Sequence, residues 1–145
     1  MTANEQYEEA LATRRAVLGD EYLDSIMATG TSFGSEFQTF VTRVCWGEAW
    51  LDGSLDLRTR SLVTLAIVAA IGQRREIGLH FAGALRNGCT ETELAGVLKH
   101  VALYAGMGAG AQAFSLAEEE LRHYKDESSR ASSPTVPETT KELGE

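Results

Sequence analysis

Residues 57–71 read LRTRSLVTLAIVAAI, a stretch that becomes apolar on every side after its first turn. Asp56 stands directly before the stretch and can cap a helix, and Gly72 directly after it can end one. A helix that is apolar all round is normally buried at the centre of a domain. The stretch therefore predicts the buried central helix of a helical domain. Its apolar part has about half the length that a bilayer-spanning helix needs.

The sequence on both sides of this stretch has the spacing of amphipathic helices, and no run alternates as a half-buried strand does. Further helices are predicted at residues 5–18, 35–50, 74–86, 90–104 and 111–124. Thr90 and Glu93 have the spacing of a capping box. The glycine-rich residues 106–110 predict a tight connection between helices, because a phosphate loop would need a preceding strand and a following Lys-Ser or Lys-Thr. The predicted fold class is all-α, with about six helices.

The composition limits the classes of partner. The chain has 145 residues, of which 43% are hydrophobic and 23% charged, and its formal net charge is −8. This length suits one domain whose core needs no disulfide or metal. An acidic chain is a poor binder of nucleic acid, whose affinity comes from neutralised phosphates, or of anionic lipid. We therefore expect neither nucleic acid nor a membrane among its partners.

The C-terminal end differs in composition from the rest of the chain. Residues 126–145 contain both prolines, Pro134 and Pro137, together with several serines and acidic residues and almost nothing apolar. Such a segment cannot bury enough surface to offset the entropy cost of ordering it. The sequence thus predicts a helical domain over residues 1–125 and a disordered acidic tail over residues 126–145.

The N-terminal residues and the cysteines bear on the compartment. The first residues, MTANE, lack the basic and apolar regions of a signal peptide. Cys45 and Cys89 are far apart and lack the spacing of a metal or redox motif. We therefore expect a reduced, cytoplasmic protein with no metal site.

Glu76 and His80 form the first candidate catalytic pair. They are four residues apart in a predicted helix, so their side chains share one face. A carboxylate beside an imidazole favours the protonated ring and can fix its tautomer. The alternative is a surface pair that contributes a few tenths of a kcal/mol. His100 and His123 are expected at exposed helix positions.

Two further groups of residues could bind or activate a small acid. Arg58 and Arg60 precede the apolar stretch, where an arginine can bind a carboxylate through two hydrogen bonds or simply join two helices. Glu48 lies between Trp46 and Trp50. This arrangement could form part of a site, or the tryptophans could be core residues while Glu48 pairs with an arginine.

Several of these pieces together resemble a known family. They are RRAVLGD at 14–20, WGEAW at 46–50, LRTRSL at 57–62, Glu76, His80, NGCT at 87–90 and YAG at 104–106. In this order, over roughly residues 5–122, the chain resembles the gamma-carboxymuconolactone decarboxylase family. The wider superfamily includes alkylhydroperoxidase D-like proteins. Their two active cysteines would fall on Gln73 and Glu76, so the resemblance implies no thiol chemistry.

The resemblance carries expectations about fold and reaction. It implies an orthogonal, alkylhydroperoxidase D-like helical bundle that assembles as a homotrimer or homohexamer. It also implies a decarboxylase that needs no cofactor and converts gamma-carboxymuconolactone to 3-oxoadipate enol-lactone in the beta-ketoadipate pathway of aromatic (protocatechuate) catabolism. His80 would then donate to the developing oxyanion or deliver a proton, and Glu76 or Glu48 would orient it.

The same resemblance assigns a substrate-binding set and leaves alternatives open. Arg58, Arg60, Trp46 and Gln112 would bind the carboxylate or lactone substrate. Gln112 stands where such decarboxylases usually show a second histidine, and a glutamine cannot transfer a proton near neutral pH. One alternative is therefore a related lyase or isomerase acting on another unsaturated lactone or polyketide acid. The other is a non-catalytic helical partner protein.

Overall fold

The structure is a computed structural model that describes residues 1–28 and 30–133. Over these residues the chain forms seven α-helices and one π-helix and no strand, which confirms the predicted all-α class. The α-helices are α1 (Ala3–Leu18), α2 (Asp20–Ala28), α3 (Ser32–Val41), α4 (Leu57–Ala70), α5 (Arg74–Arg86), α6 (Glu91–Ala105) and α7 (Met107–Ala131), and the π-helix spans Thr42–Trp50.

The caps that the sequence predicted are present. The Asp56 side chain accepts a hydrogen bond from the backbone N–H of Thr59 at the start of α4. Thr90 and Glu93 form the predicted capping box at the start of α6. These contacts satisfy backbone donors that have no partner inside the first turn of a helix. The starts of both helices are therefore local properties of the sequence.

Three helix predictions are wrong. The segment Asp20–Ala28, which had no predicted structure, forms α2. The single helix predicted at 35–50 is divided into α3 and the π-helix. The predicted connection at 106–110 is reduced to Gly106, whose φ of 117° suits a glycine, because α7 already begins at Met107.

The boundary of the predicted tail also moves. α7 continues to Ala131, so residues 126–131 are helical and do not belong to a disordered tail. Starting a helix is the costly step, whereas extending a helix that packing has already started costs little. Polar composition therefore failed as a sign of disorder in this segment. The rest of the predicted tail, residues 134–145, lies outside the described residues.

The first hydrophobic core lies among α4, α5, α6 and α7. Leu65, Ile77, Leu94 and Leu98 are the largest of its members that are at most 1% exposed. α6 and α7 approach each other so closely that a Cβ on Gly110 would lie 2.4 Å from the Cβ of Ala102. This core fixes α5 against three neighbouring helices.

The second core lies between α1 and the π-helix. It is formed by Ala10, Val17, Leu18, Trp46 and Trp50. Leu79 of α5 packs against this cluster, while other residues of α5 belong to the first core. α5 therefore lies between the two cores and is the central helix of the domain.

The prediction that α4 is the buried central helix is wrong for the single chain. Ser61, Leu65 and Ala69 are buried, but Val63, Ile67 and Ile71 are 45%, 54% and 64% exposed. The spacing of the buried residues shows that only one face of α4 meets the core.

Among the described residues, no helix combines the length and the apolar character that crossing a bilayer requires.

Candidate active site

α5 presents Glu76 and His80 on one face, as their spacing predicted. The ring Nε2 of His80 lies 3.5 Å from Oε2 of Glu76. His80 is only 8% exposed, whereas the Glu76 side chain is 42% exposed. The alternative of a surface pair therefore fails for the imidazole, which is enclosed while its carboxylate partner reaches solvent.

The π-helix provides the wall against which the imidazole packs. The ring of Trp50 lies roughly parallel to that of His80, with 6.2 Å between the ring centroids. Trp46 stacks on the far side of Trp50 at 4.6 Å and is 3% exposed. A wide helical turn brings the two tryptophans together, and such π-segments are frequent at functional sites. Trp46 supports Trp50 from the second core, one ring further from the imidazole.

Nδ1, the second ring nitrogen of His80, lacks a hydrogen-bond partner in the described residues. Nδ1 is fully buried and has no partner within the described part of the chain. A buried polar atom without a partner costs free energy, so its presence needs a reason. With Glu76 at Nε2, the Nδ1 position is the one that can donate to or accept from a bound ligand.

Glu76 is tuned to remain ionised. Its contact with His80 lowers the pKa of the Glu76 carboxyl below its ordinary value of 4.5, and partial burial opposes this effect. A carboxylate next to the ring compensates the charge of an imidazolium. The carboxylate can therefore accept a hydrogen bond from the ring and fix its tautomer and orientation.

Arg14 is the residue of this region that the sequence analysis missed. It is 4% exposed and donates to Oγ1 of Thr42 at 2.9 Å and to Oε1 of Gln38 at 2.6 Å. Burial lowers the pKa of Arg14, and a Coulomb interaction with Glu76 opposes that shift. Ala10, Arg14, Val17 and Leu18 are the buried residues of α1. An arginine at an apolar-face position of this helix was the available signal.

The structure does not bring Glu48 to His80. Glu48 is exposed and lines a surface groove together with Gln6, Glu9 and Asp52. Of the two carboxylates that the sequence offered as the orienting group, only Glu76 contacts the imidazole in the described residues. Neighbouring positions on a π-helix point in different directions, so proximity in sequence to Trp50 does not place Glu48 beside the ring.

The two predicted carboxylate-binding arginines are engaged elsewhere. Arg58 forms an ion pair with Glu93 at the start of α6. Arg60 donates to the carbonyl of Asp52 at 2.6 Å and to its carboxylate at 3.2 Å. Both arginines thus take the alternative role of joining segments of the fold.

Gln112 lies near the turn between α4 and α5, just before the first turn of α5 that carries Glu76. A Cβ on Gly72, in the turn between α4 and α5, would lie 3.9 Å from Oε1 of Gln112. His80 is in the middle of α5, beyond Glu76. Within the described residues, Gln112 makes no hydrogen bond or ion pair with Glu76 or His80.

Open grooves occur away from the imidazole. One of about 650 Å³ lies between α1, α2 and α5, and one of about 670 Å³ lies between α4 and α6. His80 lines neither of these grooves and packs against Trp50 instead. Residues 1–28 and 30–133 contain no group of three or more His, Cys, Asp or Glu side chains placed to hold a metal ion.

Comparison with known proteins places the chain in a family. Residues 35–119 match the model of the carboxymuconolactone decarboxylase family. The chain is similar to a 4-carboxymuconolactone decarboxylase of Acinetobacter baylyi, with 36% identity over 122 residues, which are 84% of this chain and 91% of the relative. It is also similar to a nitrosuccinic acid decarboxylase of Metarhizium robertsii, with 34% identity over 83% of this chain and 84% of the relative.

Both relatives carry the name of a decarboxylase, and the chain is accordingly a carboxy-lyase. The family match includes the π-helix, α4, α5 and α6, and therefore the Glu76–His80 pair with its tryptophan wall. From the matched residues and the identity across most of both chains, we conclude that this protein belongs to the carboxymuconolactone decarboxylase family.

Proposed function

We propose that this protein decarboxylates 4-carboxymuconolactone to 3-oxoadipate enol-lactone, a step of aromatic catabolism, without a cofactor. The observation that carries the proposal is the buried imidazole of His80, which is paired with Glu76 and has a free Nδ1. This pair lies in a chain with 36% identity to a 4-carboxymuconolactone decarboxylase.

The reaction requires a group that accepts an electron pair and then an acid that donates a proton. When the carbon–carbon bond to the leaving carboxylate breaks, CO₂ departs and the pair moves through the ring alkene to the lactone carbonyl oxygen. A hydrogen bond from Nδ1 of protonated His80 stabilises that oxyanion, an effect worth about 10²- to 10³-fold in rate. Transfer of the same proton to carbon completes the product, and a positioned acid contributes about 10²- to 10⁴-fold.

Glu76 acts on the imidazole rather than on the substrate. It contacts Nε2, on the opposite side of the ring from Nδ1, and remains a carboxylate because His80 lowers the pKa of its carboxyl. It therefore fixes the ring orientation and balances the positive charge before the proton moves. Trp50 excludes water from one face of the ring, which strengthens hydrogen bonds to the oxyanion.

A second substrate has a specific observation in its favour. The 34% identity to a nitrosuccinic acid decarboxylase extends over 83% of this chain. A nitro group, like an unsaturated lactone, can accept the electron pair that the leaving carboxylate releases. Gln112, in place of an expected histidine, fits a substrate other than carboxymuconolactone. Nitrosuccinic acid is therefore the alternative substrate.

The exposed apolar surface supports assembly of several copies. Val63 and Ile67 of α4, with Val97 and Tyr104 of α6, line a groove that is almost entirely apolar. Monomeric proteins rarely expose continuous apolar patches of this kind. We propose that this groove contributes to the interface of a homotrimer or homohexamer.

A direct assay tests the reaction. Purified protein is incubated with 4-carboxymuconolactone, and in parallel with nitrosuccinic acid, with and without a chelator and a reductant. Loss of ultraviolet absorbance and release of CO₂ from the lactone support the proposal. Turnover of nitrosuccinic acid alone supports the alternative. Activity that disappears with the chelator contradicts the claim that no cofactor is needed.

His80→Ala isolates the catalytic imidazole. We expect turnover to disappear while the circular dichroism spectrum keeps its helical signal, because alanine is a strong helix former and leaves the apolar members of both cores in place. His123→Ala is the matched control, since His123 is an exposed histidine of α7. Activity of His80→Ala within about twofold of wild type would remove His80 from the mechanism.

A further inference from the structure

Arg14 is a buried cation that no carboxylate pairs with in residues 1–28 and 30–133. Arg15, Arg58 and Arg60 each pair with an acidic side chain. Arg14 is only 4% exposed, yet within the described residues it forms no ion pair, and its Nε has no hydrogen-bond partner. A buried charge normally requires a partner of opposite charge, because removing it from water is expensive. The guanidinium of Arg14 is therefore available to pair with an anion.

Neutral oxygens cover the guanidinium in the free protein. Its two terminal nitrogens donate to Oγ1 of Thr42 at 2.9 Å and to the side-chain Oε1 of Gln38 at 2.6 Å. A guanidinium presents several N–H donors in a planar fork that matches the two oxygens of a carboxylate. The Gln38 amide oxygen thus occupies a position where a carboxylate oxygen would bind more strongly.

The Gln38 side chain, which covers the guanidinium of Arg14, belongs to a helix with few buried contacts. Gln38 belongs to α3, which has no buried residue. Phe33, Phe37 and Phe40 of the same helix are 89%, 61% and 52% exposed. Segments with few buried contacts open at low free-energy cost. Displacement of the Gln38 side chain therefore requires little disruption of either core.

We propose that Arg14 binds the carboxylate that the substrate retains after CO₂ has left, and that this carboxylate replaces the side-chain amide of Gln38. This inference rests on the proposed function and gives Arg14 the role that the sequence analysis had assigned to Arg58 and Arg60. Arg14 belongs to α1, which packs on α5 where Val17 meets Gly83, and α5 carries Glu76 in contact with His80. A substrate carboxylate bound to Arg14 would thus place the second carboxylate of the substrate near the imidazole of His80. Such a site selects dicarboxylic acids.

Gln38→Glu tests the proposal with a substitution that keeps the shape of the side chain. The new carboxylate lies where the amide oxygen accepts from Arg14, so it supplies the missing charge from within the protein. We expect a higher melting temperature and a KM about 10- to 100-fold higher, because the substrate must displace a charged group. Gln38→Ala, the control, should not raise KM. An unchanged KM in Gln38→Glu overturns the proposal.

Ligand binding tests the same point without turnover. Isothermal titration calorimetry compares succinate, which has two carboxylates, with propionate, which has one. We expect wild type to prefer succinate and Arg14→Lys to lose about 10- to 100-fold in succinate affinity, since lysine cannot form the paired hydrogen bonds. Arg15→Lys, on the exposed side of α1, should bind succinate as wild type does. Equal affinity of wild type for the two acids overturns the proposal.

The two proposals fail in different ways. If wild type binds succinate through Arg14 but does not decarboxylate either substrate, the proposed function fails and the carboxylate site remains. If wild type turns over the lactone while Arg14→Lys keeps both KM and succinate affinity, the reaction stands and Arg14 has a structural role only.

Discussion

At the scale of single residues, two buried polar groups mark the site. Nδ1 of His80 and Nε of Arg14 both lack hydrogen-bond partners in the described residues, as does Nε of Arg60, whose terminal nitrogen binds Asp52. The relation of Glu76 to His80 was predictable, because the helix period alone places residues four apart on one face. The partners of Arg58 and Arg60 were not, since Glu93 and Asp52 reach them only through tertiary packing and a loop.

Glu76→Gln tests the charge of the pair. The pKa of Glu76 is lowered in the folded protein, so its ionisation stabilises the fold at pH above 4.5, and this contribution is lost as pH falls through the lower folded value. The stability difference between wild type and Glu76→Gln should therefore shrink on acidification, measured by urea unfolding across pH. Glu48→Gln, which alters an exposed carboxylate that does not contact His80 in the described residues, is the control. A pH-independent difference for Glu76→Gln would refute the charge pairing.

At the scale of elements, a close contact holds α1, the helix of Arg14, against α5, the helix of His80. A Cβ on Gly83 would lie 2.9 Å from Cγ1 of Val17 and 3.0 Å from its carbonyl oxygen. Arg86 also donates to the Val17 carbonyl at 3.0 Å. Glycine at position 83 therefore allows α1 to approach α5. A helix prediction gives the bounds of both helices but not the distance between them.

Gly83→Ala should separate the two helices. The added methyl group meets backbone atoms that cannot move aside, so we expect a loss of about 1–3 kcal/mol in the free energy of unfolding and a fall in succinate affinity. Gly78→Ala in the same helix meets only Oε2 of Glu120 at 3.3 Å, at the end of a flexible side chain. It should be neutral or stabilising by about 0.5–1 kcal/mol. Equal effects of both substitutions in thermal melts would contradict this account.

At the scale of the whole molecule, the chain exposes apolar surface that its own helices do not cover. Val63 and Ile67 of α4 point away from the core, and Leu103 and Tyr104 of α6 are 69% and 82% exposed. The sequence of α4 is apolar on all sides, although one of its faces meets solvent in the single chain. Another copy of the chain would bury that face, which reconciles the prediction with the structure.

Ile67→Asp should weaken the proposed assembly. A charge in the middle of the α4–α6 groove must be buried without a partner when copies associate, which is expensive. We expect wild type to elute as a trimer or hexamer in size-exclusion chromatography with light scattering, and the variant at a lower mass. Leu55→Asp, at a 42% exposed position outside this groove, is the control. A monomeric wild type would contradict the assembly proposal.

The sequence by itself determined the helical class, the capped starts of α4 and α6, and the pairing of Glu76 with His80, because these depend on spacing along one helix. Its ordered motifs also led to the family. Only the tertiary structure decided that α5 is central, that Arg58 and Arg60 pair with Glu93 and Asp52, that Glu48 is exposed, and that Arg14 is a buried cation without a carboxylate partner in the described residues. Those features depend on distances between segments far apart in the chain, which local patterns do not contain.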